Sequence, residues 1–161
     1  MILAAHVDAR FLNESIPRSR AGAHILLSEN EPKPKLNGPV LTIAQIIKTV
    51  MSSAEEAEIV ALYITAKKMI PLLHTLIEMG WPPPQTPIQT DNSTSVRFTK
   101  KEIFNKATKS ADIKLWWLRD RESQEQFRYY WAPGSENEGD YSTKHHPPIY
   151  HQANRANPYL V

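Results

Sequence analysis

Four acids far apart in the chain, Asp8, Glu58, Asp91 and Asp140, each fall at the end or edge of a segment with regular secondary-structure signals. Brought together, such carboxylates suit hard divalent cations, which prefer oxygen ligands. Two ions about 4 Å apart can clamp the attacking and leaving oxygens of a phosphoryl transfer. Each acid also has a structural alternative. Ser53 and Glu56 have the spacing of a capping box, which engages Glu56 at a helix start and leaves Glu55 as a favourable first-turn charge. Glu58 then sits on the rim of the apolar stripe, one turn before Leu62. Asn137 and Asp140 are spaced like a helix cap and its reciprocal partner, so Asp140 divides evenly between cap and ligand.

The elements that must position these acids follow from periodicity. Ile2 to Phe11 and Ala21 to Leu27 are short apolar runs that read as a hairpin, and Val40 to Ile47 follows a cluster of turn formers as a third strand. Ile59, Leu62, Tyr63, Ala66, Ile70, Leu73 and Ile77 recur at helical spacing up to Gly80 and three prolines. Pro87 to Asp91 reads as a strand, Lys101 to Arg121 as one or two basic helices, and Phe127 to Trp131 as an aromatic strand. The order is β, β, β, α, β, α, β, with a short helix near Asn137 to Lys144. Residues 1–146 form the expected domain and 147–161 a loosely packed or mobile tail.

The 161 residues are long enough for one sizeable core. Absence of cysteine excludes disulfides and thiolate metal sites and favours an intracellular setting, cytoplasmic or nuclear. His6 and Asp8 interrupt the apolar start, so neither a signal peptide nor a membrane segment is expected. The net charge is only +2, yet Thr99 to Arg121 holds seven Lys or Arg against three acids. Either a solvated helix surface or a phosphate-facing track would account for that bias. Trp116-Trp117, beside Arg119 and Arg121, could stack on nucleic acid, but core packing is favoured, with one Trp anchoring the helix on the sheet. His145, His146 and His151 match no standard zinc spacing and read as a solvated cluster.

The run Ser52-Ser53-Ala54-Glu55-Glu56-Ala57-Glu58-Ile59-Val60-Ala61-Leu62, then Gln89-Thr90-Asp91-Asn92 and Gly139-Asp140-Tyr141-Ser142-Thr143-Lys144, resembles the ribonuclease H region of copia-type retrotransposon polyproteins. Val7-Asp8 before Arg18-Ser19-Arg20-Ala21-Gly22 extends the resemblance, which covers roughly Ile2 to His146. It implies an α/β ribonuclease H-like fold, a mixed five-stranded sheet flanked by helices. It also implies that Asp8, Glu58, Asp91 and Asp140 bind two Mg²⁺ ions, or Mn²⁺. Asp8 would bridge both ions, Asp140 would help hold the water-activating ion, and Glu58 and Asp91 would hold the ion facing the leaving 3′ oxygen.

The implied activity is endonucleolytic hydrolysis of the RNA strand of an RNA–DNA hybrid during retroelement replication. A catalytically silent domain serving a relic polyprotein is the alternative. Ser52, Ser53, Asn92, Lys100, Lys101, Lys106, Lys109 and Arg119 are the expected nucleic-acid contacts. The expected partners are the hybrid and the reverse transcriptase domain of the same element, with no membrane. The histidine that cellular relatives carry before the last acid is missing from Trp131-Ala132-Pro133-Gly134-Ser135-Glu136, which implies slow turnover. No reverse transcriptase-like segment precedes Met1, so the chain reads as a fragment or relic reading frame.

Overall fold

Alternation along the first strands decides which sheet face each helix covers. In β1 (Ile2–Arg10), Leu3, Ala5 and Val7 join the main core, while His6 and Asp8 point to the opposite face. β1 pairs antiparallel with β2 (Arg20–Ser28), which pairs antiparallel with β3 (Pro39–Ile46). After α1 (Ala54–Glu78), β4 (Thr86–Thr90) adds parallel to β1, and β5 (Phe127–Trp131) adds parallel to β4. The result is a mixed five-stranded sheet in the order β3-β2-β1-β4-β5. This computed structural model describes residues 1–12, 17–32, 34, 38–100 and 109–154, excluding the side chains of 109–111.

Burial of Ala57, Val60, Ala61, Leu62, Ala66, Met69 and Leu73 packs α1 against β1 and β2. By length and composition α1 could cross a membrane, but half of its most apolar window is buried inside the protein. Its start is a variant of the expected capping box. Ser53 Oγ accepts from the Glu56 N–H at 3.1 Å, while Glu56 Oε2 accepts from both the N–H and the hydroxyl of Ser52 at 2.7 Å.

The basic region differs from expectation. A helix not foreseen, α2 (Ser93–Thr99), starts at Asn92, whose Oδ1 accepts from the Ser95 N–H at 3.1 Å. The following helix, α3 (Lys109–Ser123), packs mainly on α1, with the Trp117 and Tyr63 rings edge to face at 5.2 Å, and also touches β5. Trp116 is exposed, with the Arg119 guanidinium over its ring. After β5 come a 3₁₀ turn at Gly134–Glu136, α4 (Gly139–Thr143) and α5 (Pro148–Ala153). The last helix lies in the segment expected as an irregular tail; Pro148 at its first turn suits a helix start. His146, Tyr141 and Tyr150 form a three-ring cluster, with His146 4.9 Å from Tyr141 and 4.2 Å from Tyr150.

Candidate metal centre

Asp8 lies near the end of β1 and Asp91 directly follows β4, so the two parallel strands deliver both acids to the same end of the sheet. Glu58 reaches them from the first turns of α1, where Ala9 N–H donates to its Oε1 at 3.2 Å. One ligand oxygen from each of Asp8, Glu58 and Asp91 lies within 4.8 Å of the others. Asp8 and Glu58 are buried and Asp91 is half-buried.

Asp140 enters from α4. It falls outside that three-residue group, but its charge raises the carboxyl pKa values of both Asp8 and Asp91. Its own carboxylate pairs with Lys144 one turn later. The cap-like role belongs to Asn137 alone, whose Oδ1 accepts from Gly139 N–H at 3.0 Å while its Nδ2 donates to the Val7 carbonyl at 2.7 Å. Thr143 donates its hydroxyl to Asp8 Oδ2.

Close approach makes this arrangement possible. Gly22 stands opposite Asp8 in the β1–β2 register, and a Cβ there would lie 2.6 Å from Thr143 Cγ2 and 2.8 Å from the Gly139 carbonyl. Gly139 is similarly tight, with a Cβ meeting the His6 carbonyl at 3.0 Å and Asp8 N at 3.1 Å. On the same face the buried His24 reaches Thr42 Oγ1 at 3.1 Å through Nδ1 and Ser142 Oγ at 3.3 Å through Nε2. Gly22 belongs to the Arg18–Gly22 run noted in the sequence and Asn137 was a cap candidate there, but Thr143 and Lys144 had no assigned role.

The electrostatics are unfavourable for bare carboxylates. Burial, then repulsion from Asp8 and Asp91, pushes Glu58 up to about 9. Burial raises Asp8 to about 6, reinforced by Asp91 and Asp140 and opposed by the Thr143 hydroxyl and by Lys144. Asp91 is raised too, first by burial and then by Asp140. Glu58 Oε2 is buried without a hydrogen-bond partner. An all-oxygen donor set holding an unpartnered buried oxygen among mutually repelling acids fits a hard divalent cation.

The expected nucleic-acid contacts separate. Ser52, Ser53 and Asn92 are engaged at the starts of α1 and α2. Lys100 is exposed at the end of α2; Lys101 and Lys106 lie outside the described residues, as does the Lys109 side chain. Arg119 is a correction: it is buried, and its Nε donates to the Phe98 carbonyl at 2.6 Å, tying α3 to α2 rather than facing a phosphate. Lys114 borders a groove with Ile47, Thr49 and Tyr63, and Arg121 lies over Trp117. Among the described residues, the group with metal-ligand spacing is the carboxylate trio, with no histidine in it.

No family model matches the chain. Its sequence is 27% identical over 107 residues to the retrovirus-related Pol polyprotein from transposon TNT 1-94 of Nicotiana tabacum, a match covering 66% of this chain. The match spans only 8% of that polyprotein. In fold the chain is similar to LC11-RNase H1, isolated from compost by a metagenomic approach, with a TM-score of 0.65 at 13% identity. That alignment covers 88% of this chain and 91% of the other. The structure of LC11-RNase H1 in complex with an RNA/DNA hybrid aligns with a TM-score of 0.59 at 10% identity, over 86% of this chain and 91% of that one. The resemblance to the ribonuclease H region of copia-type polyproteins thus holds in both respects: the chain has the ribonuclease H fold, and its sequence is similar to a retrotransposon Pol polyprotein.

Proposed function

We propose that this domain is a metal-dependent ribonuclease H that hydrolyses the RNA strand of an RNA–DNA hybrid in retroelement replication. The observation that carries the reading is the convergence of one carboxylate oxygen from each of Asp8, Glu58 and Asp91 within 4.8 Å of one another, with Glu58 Oε2 buried and unpartnered. Asp8, Glu58 and Asp91 would hold Mg²⁺ or Mn²⁺, with Asp140 contributing from α4. When bound, such ions activate water and stabilise the charge that develops on the phosphodiester oxygens.

The chain's own part is to keep the ligand oxygens aimed before an ion arrives. Thr143 restrains Asp8 through Oδ2, and Ala9 N–H restrains Glu58 through Oε1. The Trp131 indole N–H donates to the Asp91 carbonyl at 2.9 Å, which fixes the end of β5 against the acid. Gly134 lets the next loop close over Asp91, since a Cβ there would lie 3.0 Å from Oδ2. Such preorganisation matters because small misplacements of reacting groups cost large factors in rate.

Lys100, together with Lys101, Lys106 and Lys109, would approach the hybrid's phosphates, with Ser52, Ser53 and Asn92 at the helix starts. That LC11-RNase H1 is known in complex with an RNA/DNA hybrid supports this substrate class. The proposed setting is intracellular, in the cytoplasm or nucleus, alongside the element's reverse transcriptase. The test is incubation with end-labelled RNA–DNA hybrid, duplex RNA and single-stranded RNA in Mg²⁺. The reading expects cleavage of the hybrid's RNA strand alone, leaving 5′-phosphate and 3′-hydroxyl ends. Tight hybrid binding without cleavage in Mg²⁺ or Mn²⁺ would favour a silent nucleic-acid-binding domain instead.

A further inference from the structure

Three acids of the centre form one tight group, whereas the fourth, Asp140, is already paired with a cation of the chain itself. Lys144 follows Asp140 by one helical turn, and its ammonium engages Asp140 Oδ1. The influence of Lys144 extends beyond its partner, because its charge also lowers the carboxyl pKa values of Asp8 and Asp91 against the trend of their burial. The Thr143 hydroxyl, which donates to Asp8 Oδ2 and lies 3.0 Å from the Asp140 carbonyl, ties this corner of α4 to the cluster. Glu58 Oε2, buried and unpartnered, lies on the other side of the division, in the group without a resident cation.

We propose that Lys144 is a built-in counter-cation that makes the two halves of the centre unequal, so that an ion on the Asp140 side must displace its ammonium. This rests on the metal-centre reading above. An ion at Asp8, Glu58 and Asp91 meets carboxylates whose repulsion it relieves. An ion at Asp140 must first break an existing ion pair and then tolerate a nearby positive charge. Lys144 is therefore a positioning residue: it sets the order and spacing of the two binding events and restrains Asp140 toward the cluster. It is half-exposed, so its ammonium has solvent to move into when an ion takes its place.

The test is a Mn²⁺ titration of the full chain, with free ion counted by electron paramagnetic resonance, for wild type, Lys144→Gln, Lys144→Arg and Asp140→Asn. The wild type should bind one ion readily and a second only at higher concentration. Lys144→Gln should tighten the second event about tenfold, the scale of removing one like charge near a partly solvated ion, and leave the first within about threefold. Lys144→Arg should follow wild type, and Asp140→Asn should lose the second event. A second event unchanged or weakened in Lys144→Gln, with the first intact, would overturn the role of Lys144 alone. If wild type binds no Mn²⁺, the metal-centre reading fails, and this role fails with it. Thermal unfolding without metal checks that each variant is folded before it is titrated.

Discussion

Glu58→Gln is a sensitive probe of the centre because it separates the cost of a buried carboxyl from its use. The folded pKa, about 9, lies above the ordinary 4.5. A carboxyl with a raised pKa opposes folding only where the unfolded chain would be ionised. Its penalty is absent below about pH 4.5, grows by about 1.4 kcal/mol per pH unit, and levels off above about pH 9. At pH 7 it comes to on the order of 3 kcal/mol. Glutamine keeps the size of the side chain and an oxygen that can accept from Ala9 N–H, but it removes this penalty.

In EDTA at pH 7, Glu58→Gln should therefore unfold at a higher temperature than wild type, by about 6–12 °C at about 2–4 °C per kcal/mol for a chain of this size. The gap should shrink toward zero at pH 5 and widen at pH 8.5. Saturating Mg²⁺ should stabilise wild type and leave the variant almost unmoved. A variant less stable than wild type in EDTA at pH 7, or one that keeps the full Mg²⁺ stabilisation, would refute the reasoning.

Other perturbations probe the supports of the site. Gly22→Ala places a methyl 2.6 Å from Thr143 Cγ2 and 2.8 Å from the Gly139 carbonyl, so α4 must shift; unfolding should register a loss of about 1–3 kcal/mol, and calorimetry should show weakened ion binding. Because Glu58 titrates near 9 and Asp8 near 6, apparent Mg²⁺ affinity measured by calorimetry should rise with pH. The slope should be about one proton per ion between pH 6 and 9 and about two below pH 6. Arg119→Gln removes a buried donor from the Phe98 carbonyl, so denaturant unfolding should show a loss of about 1–3 kcal/mol, whereas the salt slope of hybrid binding should not change.

The strands were legible as short apolar or β-branched runs bounded by turn formers, and α1 by its helical spacing; β1 is buried on both faces along most of its length, so it reads as a continuous apolar run rather than an alternating one. Helix α2 was not, since Ser93-Thr94-Ser95 reads as polar turn and only the Asn92 cap and the burial of Val96 and Phe98 give it a place. Helix α5 was missed because Pro147-Pro148 reads as a breaker, though proline suits a helix start. The acids were legible as candidates, but their choice over neighbours rested on the resemblance; spacing alone left Asp140 evenly divided. Gly22, Thr143 and Lys144 gained roles only in three dimensions, because each depends on α4 lying against β1 and β2. Arg119 misled because a charged residue in a basic run looks solvated until its burial against Phe98 is seen.

The central claim, that the convergent acids serve cleavage, meets its most direct test in Asp91→Asn. Asp91 is half-buried and directly follows β4, and asparagine keeps its size while removing the charge that would retain a divalent ion. Cleavage of an end-labelled RNA–DNA hybrid in Mg²⁺ should be abolished in Asp91→Asn, while hybrid affinity stays within about threefold of wild type. Metal-free thermal stability should be equal or slightly higher, since one repelling carboxylate is gone. Wild-type cleavage matched by equal cleavage in Asp91→Asn would contradict a metal-dependent site built from Asp8, Glu58 and Asp91.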